Sequence, residues 1–278
     1  MEALYRELVS DPVRDHPDTD FSTELRLGFP FEIIRGRVIA KGRADFRNGF
    51  EDPAYGTLTA DQVVLLYCFV NFRKHFYTCL EAFSLYRNEL SQWLSEDRRV
   101  LIDLGCGPGT VGLSFCDFLL NRPWDYIGID VAPAMLRIAE RFFQGAKSNG
   151  LMAPSSNISL LSSWDDCQSD SLASYSSVLV VASYLFASDS VNYAALRDLA
   201  NWLNAIRRTS NRPITIFLYL NSPKSPSNAK YDTFKLLCGL DPLASSLRQN
   251  EVHYYNKRNS TIASSEAFFH DLLIFKEG

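Results

Sequence analysis

The first residues whose types and spacing could do chemistry lie between Val100 and Thr110, a stretch that reads VLIDLGCGPGT. An apolar run with one carboxylate, Asp103, ends in a turn that contains Gly105, Gly107 and Gly109. Such a run is typical of a buried strand, and the segment after the glycines predicts a helix. Glycine turns let a ligand approach the main chain, and the N–H groups at a helix start point toward that ligand. The stretch therefore predicts a site for a nucleotide-like cofactor.

The kind of cofactor follows from two other features of this turn. Gly107, Gly109 and Gly112 satisfy G-x-G-x-x-G, the pattern of dinucleotide sites. However, Asp103 places a negative charge where a diphosphate would lie, and Pro108 removes an N–H donor from the middle of the turn. A carboxylate suits a cofactor that carries positive charge and an amino group. S-adenosylmethionine has both and has no phosphate, so we favour it over a dinucleotide.

A family resemblance extends this interpretation along the chain. The segment DLGCGPGT resembles motif I of the class I (Rossmann-like) S-adenosylmethionine-dependent methyltransferases, and YIGIDVAPAMLRIAE, from Tyr126 to Glu140, resembles their second conserved block. The resemblance covers residues 98–278 and implies an α/β fold with a doubly wound, seven-stranded, mostly parallel sheet. Residues 1–97 are expected to form an N-terminal extension or lid, mainly helical with a short β segment. The implied cofactor is S-adenosylmethionine, with S-adenosylhomocysteine as product.

The resemblance also implies which residues hold the cofactor. Asp130 follows the second strand, where a carboxylate can accept hydrogen bonds from both ribose hydroxyls; a helix cap is the alternative role. In the loop SSWDD after the third strand, Trp164 stands where the family usually has an acid for the adenine amino group. Trp164 could stack on the base while Asp165 accepts the amino group, or the loop could be capped and anchored by the Trp. The expected cofactor-binding residues are Asp103, Gly105, Cys106, Gly107, Asp130, Val131, Trp164, Asp165 and Ser183.

The acceptor side is less clearly marked. Thr59 to Gln62 has the form of a capping box, and the helical pattern after it runs to about Leu94, long enough for two consecutive helices. Asn71 and His75 are four residues apart on this aromatic-rich pattern and so share a face, although His75 could equally be a surface or core histidine. The weak catalytic candidates are Asn71, His75, Tyr184 and Asn221, with Lys224 and Tyr231 as further acceptor-side candidates after the fifth strand.

The end of the fourth strand restricts the acceptor. Ser183 to Phe186 reads SYLF, which matches neither the Asn/Asp-Pro-Pro-Tyr/Phe of amino-methylating DNA enzymes nor the Pro-Cys nucleophile of RNA 5-methylcytosine enzymes. The formal net charge of −4 also argues against a long nucleic acid held through its phosphates. We expect N- or O-methylation of a small molecule, with RNA or a protein as the second possibility. A non-catalytic binding or assembly subunit with the same fold is the third.

Composition gives the remaining expectations. The six cysteines form no C-x-x-C pair and have no clustered histidine, so buried reduced thiols are expected rather than a metal site. The N-terminus does not read as a secretory signal, and no apolar run is long enough to span a bilayer. We therefore expect a cytoplasmic protein. The segment from Phe29 to Asp45 is short and β-rich, which suggests a small hairpin; a packed arm over the core and a lid that contributes to the acceptor pocket are the other possibilities.

Overall fold

A computed structural model describes residues 1–39, 46–119, 122–167, 169–208, 214–223, 226–240, 247–255 and 263–275. The strands are β1 (Leu25–Arg26), β2 (Phe29–Pro30), β3 (Phe50–Asp52), β4 (Gly56–Leu58), β5 (Arg99–Leu104), β6 (Asp125–Ile129), β7 (Ile158–Leu161), β8 (Ser177–Ser183), β9 (Ile214–Asn221), β10 (Arg248–Tyr255) and β11 (Ala263–Phe275). The helices are α1 (Glu2–Tyr5), α2 (Asp11–Arg14), α3 (Phe31–Ile33), α4 (Ala60–Leu85), α5 (Arg87–Ser95), α6 (Thr110–Leu119), α7 (Pro133–Ser148), α8 (Tyr193–Arg208) and α9 (Pro226–Leu237). Two π-helical turns, Arg6–Ser10 and Ile34–Ile39, continue α1 and α3.

The last seven strands form one sheet in the order β7-β6-β5-β8-β9-β11-β10. The pairs among β5 to β9 are parallel, whereas β11 is antiparallel to both β9 and β10. After β5 the chain builds outward through β6 and β7 and then returns to β8 on the other side of β5. The strand order therefore reverses between β5 and β8, and ligands of doubly wound sheets bind at the carboxyl edge of such a switch point. The predicted fold class, a doubly wound seven-stranded mostly parallel sheet, is confirmed.

Strand β5 lies at the centre of the sheet and is buried on both faces. Val100, Ile102 and Leu104 pack in the core that contains residues of α8 and α9. Leu101 packs in the other core, with residues of α4, α6 and α7. Side chains alternate along a strand, so Asp103 faces the same side as Leu101. Its carboxylate therefore enters the layer beneath α4, α6 and α7.

The helical part before β5 is joined to the sheet through a shared core. The capping box is present, because Gln62 N–H donates to Thr59 Oγ1 (3.3 Å) and Thr59 N–H donates to Gln62 Oε1 (2.9 Å). The prediction of two consecutive helices is confirmed by α4 and α5. The Phe72 ring of α4 stacks on the Phe142 ring of α7, with 4.6 Å between centroids. This packing places α4 in the helical layer with α6 and α7 on one face of the sheet, while the boundary between residues 97 and 98 stays a prediction.

The expected hairpin from Phe29 to Asp45 is wrong in its main part. Only β2 is extended there, paired with β1 before it, and the chain then turns helical from Phe31 to Ile39. The segment is helical and not extended because of its packing: Ile34 is completely buried in a small core that includes Leu58 and Val63. Tertiary packing of this kind commonly overrides β-propensity. Residues 40–45 lie outside the described part of the chain.

Candidate cofactor site

Four strand ends meet at the carboxyl edge of the sheet and form the candidate site. They are the glycine loop after β5, Asp130 and Val131 after β6, the turn Trp164–Asp166 after β7, and Ser183 at the end of β8. Three of these four ends belong to neighbouring parallel strands on one side of the switch point. The sheet thus brings to one edge the strand ends that carry the residues predicted for the cofactor.

The glycine loop has the conformation that only glycine adopts freely. Gly105, Gly107 and Gly109 have φ values of +67°, +51° and +77°. A Cβ at Gly109 would lie 2.7 Å from the Phe143 ring, so this glycine is required by packing as well. At Gly107 the nearest atom to an added Cβ is Met135 Sδ, 3.9 Å away. The backbone at Gly107 is therefore bare on the side of the site.

Asp130 ties the second strand end to the glycine loop. Its Oδ2 accepts a hydrogen bond from Gly107 N–H and its Oδ1 accepts one from Ala132 N–H, both at 2.9 Å. Burial raises the pKa of the carboxyl, and the bonds from Ala132 and Gly107 oppose that rise. A carboxylate offers about four acceptor positions, so about two remain for a ligand. Asp130 thus stabilises the turn before α7, but it is not the helix cap, because the N-cap residue is Ala132 and no side chain caps the helix. The ribose role of Asp130 stays a prediction.

Val131, the next residue, is 64% exposed, which is unusual for a large apolar side chain at a strand end. It lies beside Asp130 and offers an apolar surface at the edge of the site. Such a surface can contact the face of a base whose ribose is held by the neighbouring carboxylate.

Asp103 has a different environment from the one expected of a residue that touches a ligand. It is only 1% exposed, and its Oδ2 accepts a hydrogen bond from the Tyr126 hydroxyl at 2.8 Å. Burial raises its pKa from 3.8 to about 7; Tyr126 lowers it, and the nearby Asp130 raises it further. Gly128 leaves room for the hydrogen bond between Tyr126 and Asp103, because a Cβ at Gly128 would lie 2.8 Å from the Tyr126 ring.

Cys106 holds the loop rather than lining an open surface. It is 3% exposed, its N–H donates to Ile129 O (3.0 Å), and its thiol donates to Gly107 O (3.6 Å). Burial is the main cause that raises its pKa well above the ordinary value, so the thiol is neutral. Cys106 therefore connects the end of β5 to β6.

The loop after β7 is a capped turn with two different side chains. Ser163 Oγ accepts a hydrogen bond from Asp165 N–H at 3.1 Å. The Trp164 ring packs, partly buried, against the core on the α8 side. Asp165 is exposed. Trp164 thus anchors the loop, as one of the two possibilities for this residue predicted. The adenine roles of Trp164 and Asp165 stay predictions.

An aromatic cluster from α4 and the end of β8 lies on the acceptor side. The His75 ring stacks on the Tyr184 ring at 4.3 Å between centroids and 16° between planes. His75 Nδ1 is 3.3 Å from the Tyr67 hydroxyl, and the tautomer decides which atom donates. Burial, with a smaller contribution from Lys74, lowers the pKa of His75 to about 3. Asn71 lies one turn before His75 on α4 and is partly exposed.

Ser183 ends strand β8, and Tyr184 follows it within this cluster. Ser183 Oγ is 3.5 Å from the Cys79 sulfur of α4. Tyr184 has φ +57° and ψ +6°, a left-handed conformation that is uncommon for a bulky residue. Its hydroxyl is buried beside Thr78 without a well-formed hydrogen bond.

The acceptor-side candidates after strand five lie elsewhere. Asn221 is completely buried, and its Nδ2 donates to the Tyr219 hydroxyl at 2.8 Å. Tyr231 is completely buried as well; its ring stacks on that of Tyr219, and its hydroxyl donates to Asp271 Oδ2 at 2.9 Å. Both belong to a buried polar group beside α9, so we withdraw them as contacts to an acceptor. Lys224 lies outside the described residues.

Three residues near the site were not singled out from the sequence. Tyr67 stood in the aromatic stripe of α4 but without a role, and Leu185 had no signal at all. One signal could have identified Tyr126. Because side chains alternate along a strand, Tyr126 of β6 lies on the same face of the sheet as Asp103 of β5, and Gly128 lies directly opposite Asp103. A polar side chain that stands two positions before a glycine on one strand can lie over that glycine and reach a buried carboxylate opposite it on the neighbouring strand.

Across the described ranges there is no group of three or more His, Cys, Asp or Glu residues that could hold a metal ion. None of the helices in these ranges combines the length and apolar character that crossing a bilayer requires.

Comparison with known proteins gives similarity at the level of structure. No family model and no curated sequence matches the chain. Similar solved structures include precorrin-6y C5,15-methyltransferase from Geobacter metallireducens GS-15 (13% identity, 70% of this chain and 87% of that chain, TM-score 0.43). Others are magnesium protoporphyrin IX methyltransferase from Synechocystis PCC 6803 with bound SAM (11%, 70% and 79%, 0.37) and an arsenic(III) S-adenosylmethionine methyltransferase from Chlamydomonas reinhardtii (15%, 66% and 64%, 0.40).

The fold is defined by the chain's own strand order, the reversal between β5 and β8, and the antiparallel β11 inserted between β9 and β10. The chain has the fold of the class I (Rossmann-like) S-adenosylmethionine-dependent methyltransferases.

Proposed function

We propose that the protein is an S-adenosylmethionine-dependent methyltransferase that methylates nitrogen or oxygen of a small molecule. The observation that carries this proposal is the arrangement at Asp130. Its carboxylate has about two acceptor positions left, beside the bare backbone of Gly107 and the exposed side chain of Val131. An adenosyl group needs these three features: two acceptors for vicinal hydroxyls, room against the main chain, and an apolar surface for the base.

The adenosine half of the cofactor fits the residues present. Asp130 would accept both ribose hydroxyls, Val131 would contact the adenine face, and the exposed Asp165 would accept the adenine amino group. Bound S-adenosylmethionine would supply a methyl group on a positively charged sulfur. A diphosphate fits less well, because the carboxylates of Asp130 and Asp103 both lie next to the glycine loop.

The chain's own contribution to methyl transfer would be alignment and exclusion of water. Orientation of two reactants can supply roughly 7–11 kcal/mol of a barrier. His75 is neutral because its pKa is about 3, so it does not repel a cationic sulfur and can hydrogen-bond an acceptor. We assign His75 and Asn71 to holding that acceptor, with Tyr184 as one wall beside them.

The surroundings of this cluster favour a small acceptor. They are aromatic, with Phe46 against the Tyr67 ring at 4.9 Å between centroids. Within the described part of the chain, Lys74, whose Nζ is 5.7 Å from the Tyr184 ring centroid, is paired with Glu266 at 2.6 Å, which disfavours its use for a phosphate backbone. RNA or a protein side chain is the alternative acceptor. All six cysteines are free and buried, which suits action in a reducing compartment such as the cytoplasm.

A non-catalytic binding subunit is the second candidate, and one observation favours it. Leu185 lies against Gly105, where a Cβ would be 2.9 Å from its Cδ1. Asp103 is 1% exposed, so neither Gly105 nor Asp103 offers an open surface to the amino-acid half of the cofactor.

Calorimetric titration with S-adenosylhomocysteine tests the cofactor assignment. We expect the wild type to bind and Asp130→Ala to bind at least about 30-fold more weakly, because two charge-assisted hydrogen bonds are lost. Glu140→Ala, which removes an exposed carboxylate from α7, is the matched control and should bind like the wild type. Asp130→Asn keeps one acceptor oxygen and should lie between them. Absence of binding by the wild type, or equal binding by Asp130→Ala, contradicts the assignment.

Transfer of a radioactive methyl group separates the acceptor classes. The protein and labelled S-adenosylmethionine are incubated in turn with a deproteinised small-molecule extract, total RNA and cellular protein. We expect label in the first fraction. Label in RNA or protein selects the alternative acceptor, and tight S-adenosylhomocysteine binding without any transfer favours the non-catalytic subunit.

A further inference from the structure

Two side chains of α4, Tyr67 and His75, form a hydrogen-bonded pair beside the proposed cofactor site. The Tyr67 hydroxyl is 3.3 Å from His75 Nδ1. On one side, the carboxylate of Asp130 is near enough for its charge to act on Tyr67. On the other side, the Tyr184 ring, which follows the end of β8, stacks on the His75 ring. The Tyr67–His75 pair thus lies next to both the proposed ribose carboxylate and the turn after β8.

Both members of this pair are neutral, so the hydrogen bond between them has two possible directions. Burial, with a smaller contribution from Lys74, lowers the pKa of His75 to about 3. Burial, followed by Cys68 and Asp130, raises the pKa of Tyr67 above its ordinary value. A neutral imidazole carries hydrogen on one ring nitrogen and a lone pair on the other. Either Tyr67 donates to Nδ1 and the hydrogen is on Nε2, or Nδ1–H donates to the Tyr67 oxygen.

The surroundings of the Tyr67 hydroxyl decide between these two directions. Among the described residues, His75 Nδ1 is the partner of this hydroxyl, and no other hydrogen bond is made by it. If Nδ1–H were the donor, the hydroxyl hydrogen of Tyr67 would have no protein acceptor in a desolvated environment. An unsatisfied buried donor disfavours that arrangement by about tenfold. Tyr67 is therefore the donor, and the imidazole hydrogen is on Nε2.

The second ring nitrogen of His75, Nε2, is left for a ligand. Within the described ranges it makes no hydrogen bond, and it is not one of the side-chain polar atoms that lie enclosed without a partner. The residue is partly exposed, so Nε2 is open to the acceptor side. The stack on Tyr184, with 16° between the ring planes, fixes the plane in which the Nε2–H bond points.

We propose that Tyr67 is a positioning residue that holds His75 as a hydrogen-bond donor through Nε2–H. In this form His75 does not remove a proton from the methyl acceptor, because Nδ1 is occupied and Nε2 has no lone pair. It binds an atom that has one. The acceptor is therefore a small molecule that presents a carbonyl, phenolate or carboxylate oxygen to His75 beside the atom that is methylated. This inference rests on the proposed function and narrows its substrate class.

NMR spectroscopy of the whole protein with isotope-labelled histidine tests the direction of the bond without any ligand. Long-range proton–nitrogen correlation spectra distinguish a ring nitrogen that carries hydrogen from one with a lone pair. The chain has four histidines, and His75→Gln identifies the signals of His75 by their loss. We expect hydrogen on Nε2 in the wild type. Tyr67→Phe should lower the ratio of Nε2–H to Nδ1–H by about tenfold.

Tyr77→Phe is the matched control, because it also removes a hydroxyl from α4, one that donates to Glu2 at 3.3 Å. It should leave the His75 signals unchanged, and circular dichroism melts establish that each variant is folded. Hydrogen on Nδ1 in the wild type, or a Tyr67→Phe spectrum equal to that of the wild type, overturns the inference. Both results are independent of S-adenosylhomocysteine binding, which tests the proposed function separately.

Methyl transfer to the small-molecule extract tests the donor role of His75. His75→Gln keeps an N–H donor but has no basic nitrogen, whereas His75→Leu has neither. We expect His75→Gln to transfer methyl about fivefold faster than His75→Leu. Equal losses in the two variants overturn the donor role. Absence of transfer by the wild type contradicts the proposed function, while the spectra still decide how Tyr67 positions His75.

Discussion

Substitution of Asp103 by asparagine should stabilise the protein above neutral pH. The carboxyl is 1% exposed and has a pKa of about 7 in the folded chain, against 3.8 ordinarily. The folded protein therefore binds more protons than the unfolded chain between about pH 4 and pH 7. The contribution of the Asp103 carboxyl to the free energy of unfolding therefore falls as the pH rises through that window and is constant above it.

The magnitude follows from the difference in pKa. A pKa difference of about three corresponds to at most about 4 kcal/mol of unfolding free energy. The asparagine side chain of the variant would keep an acceptor for the Tyr126 hydroxyl but would carry no charge. We expect Asp103→Asn to be more stable than the wild type by up to about 4 kcal/mol at pH 8 and by up to about 2 kcal/mol at pH 5.

Urea unfolding followed by tryptophan fluorescence measures both proteins at these two pH values. The groups that face Asp103 are Tyr126, Asp130 and the thiols of Cys79 and Cys106. Burial raises the pKa of both thiols, so they stay neutral throughout, and the difference between variant and wild type isolates the carboxyl. A variant that is no more stable than the wild type at pH 8, or a stability difference that is the same at both pH values, refutes the reasoning.

Three further predictions concern the same region. Tyr126→Phe removes a hydrogen bond to a buried carboxyl and should lower the unfolding free energy by about 1.5–3 kcal/mol. Tyr184→Phe removes a hydroxyl that has no well-formed hydrogen bond and should leave the unfolding free energy equal or raise it by about 1 kcal/mol. Urea titrations compare the two variants. Gly109→Ala should cost about 2–4 kcal/mol in the same assay, because φ is +77° and the new Cβ meets Phe143.

Much of the fold could be predicted because its signals are local. The helix Pro133–Ser148 begins with a proline at its first position, a start signal that stands in the sequence itself. The glycine loop was recognised from residue types alone, because its three positive φ values suit only glycine.

The remaining parts depend on contacts between distant segments. Asn221 was expected at the site because it ends a strand, but the alternation of side chains turns it to the face of Tyr219. The bond between Asp103 and Tyr126 depends on the register of two strands, and the position of Leu185 over Gly105 depends on the path of a turn that follows β8, much later in the chain. No local pattern contains this information.

The central claim is that Asp130 and its neighbours hold an adenosyl group. A crystal structure of the protein with S-adenosylhomocysteine tests it most directly. We predict both ribose hydroxyls within about 2.5–2.7 Å of the Asp130 carboxylate oxygens, with the adenine against Val131. A ligand bound elsewhere, or a diphosphate nucleotide from the expression host in this position, would contradict the claim.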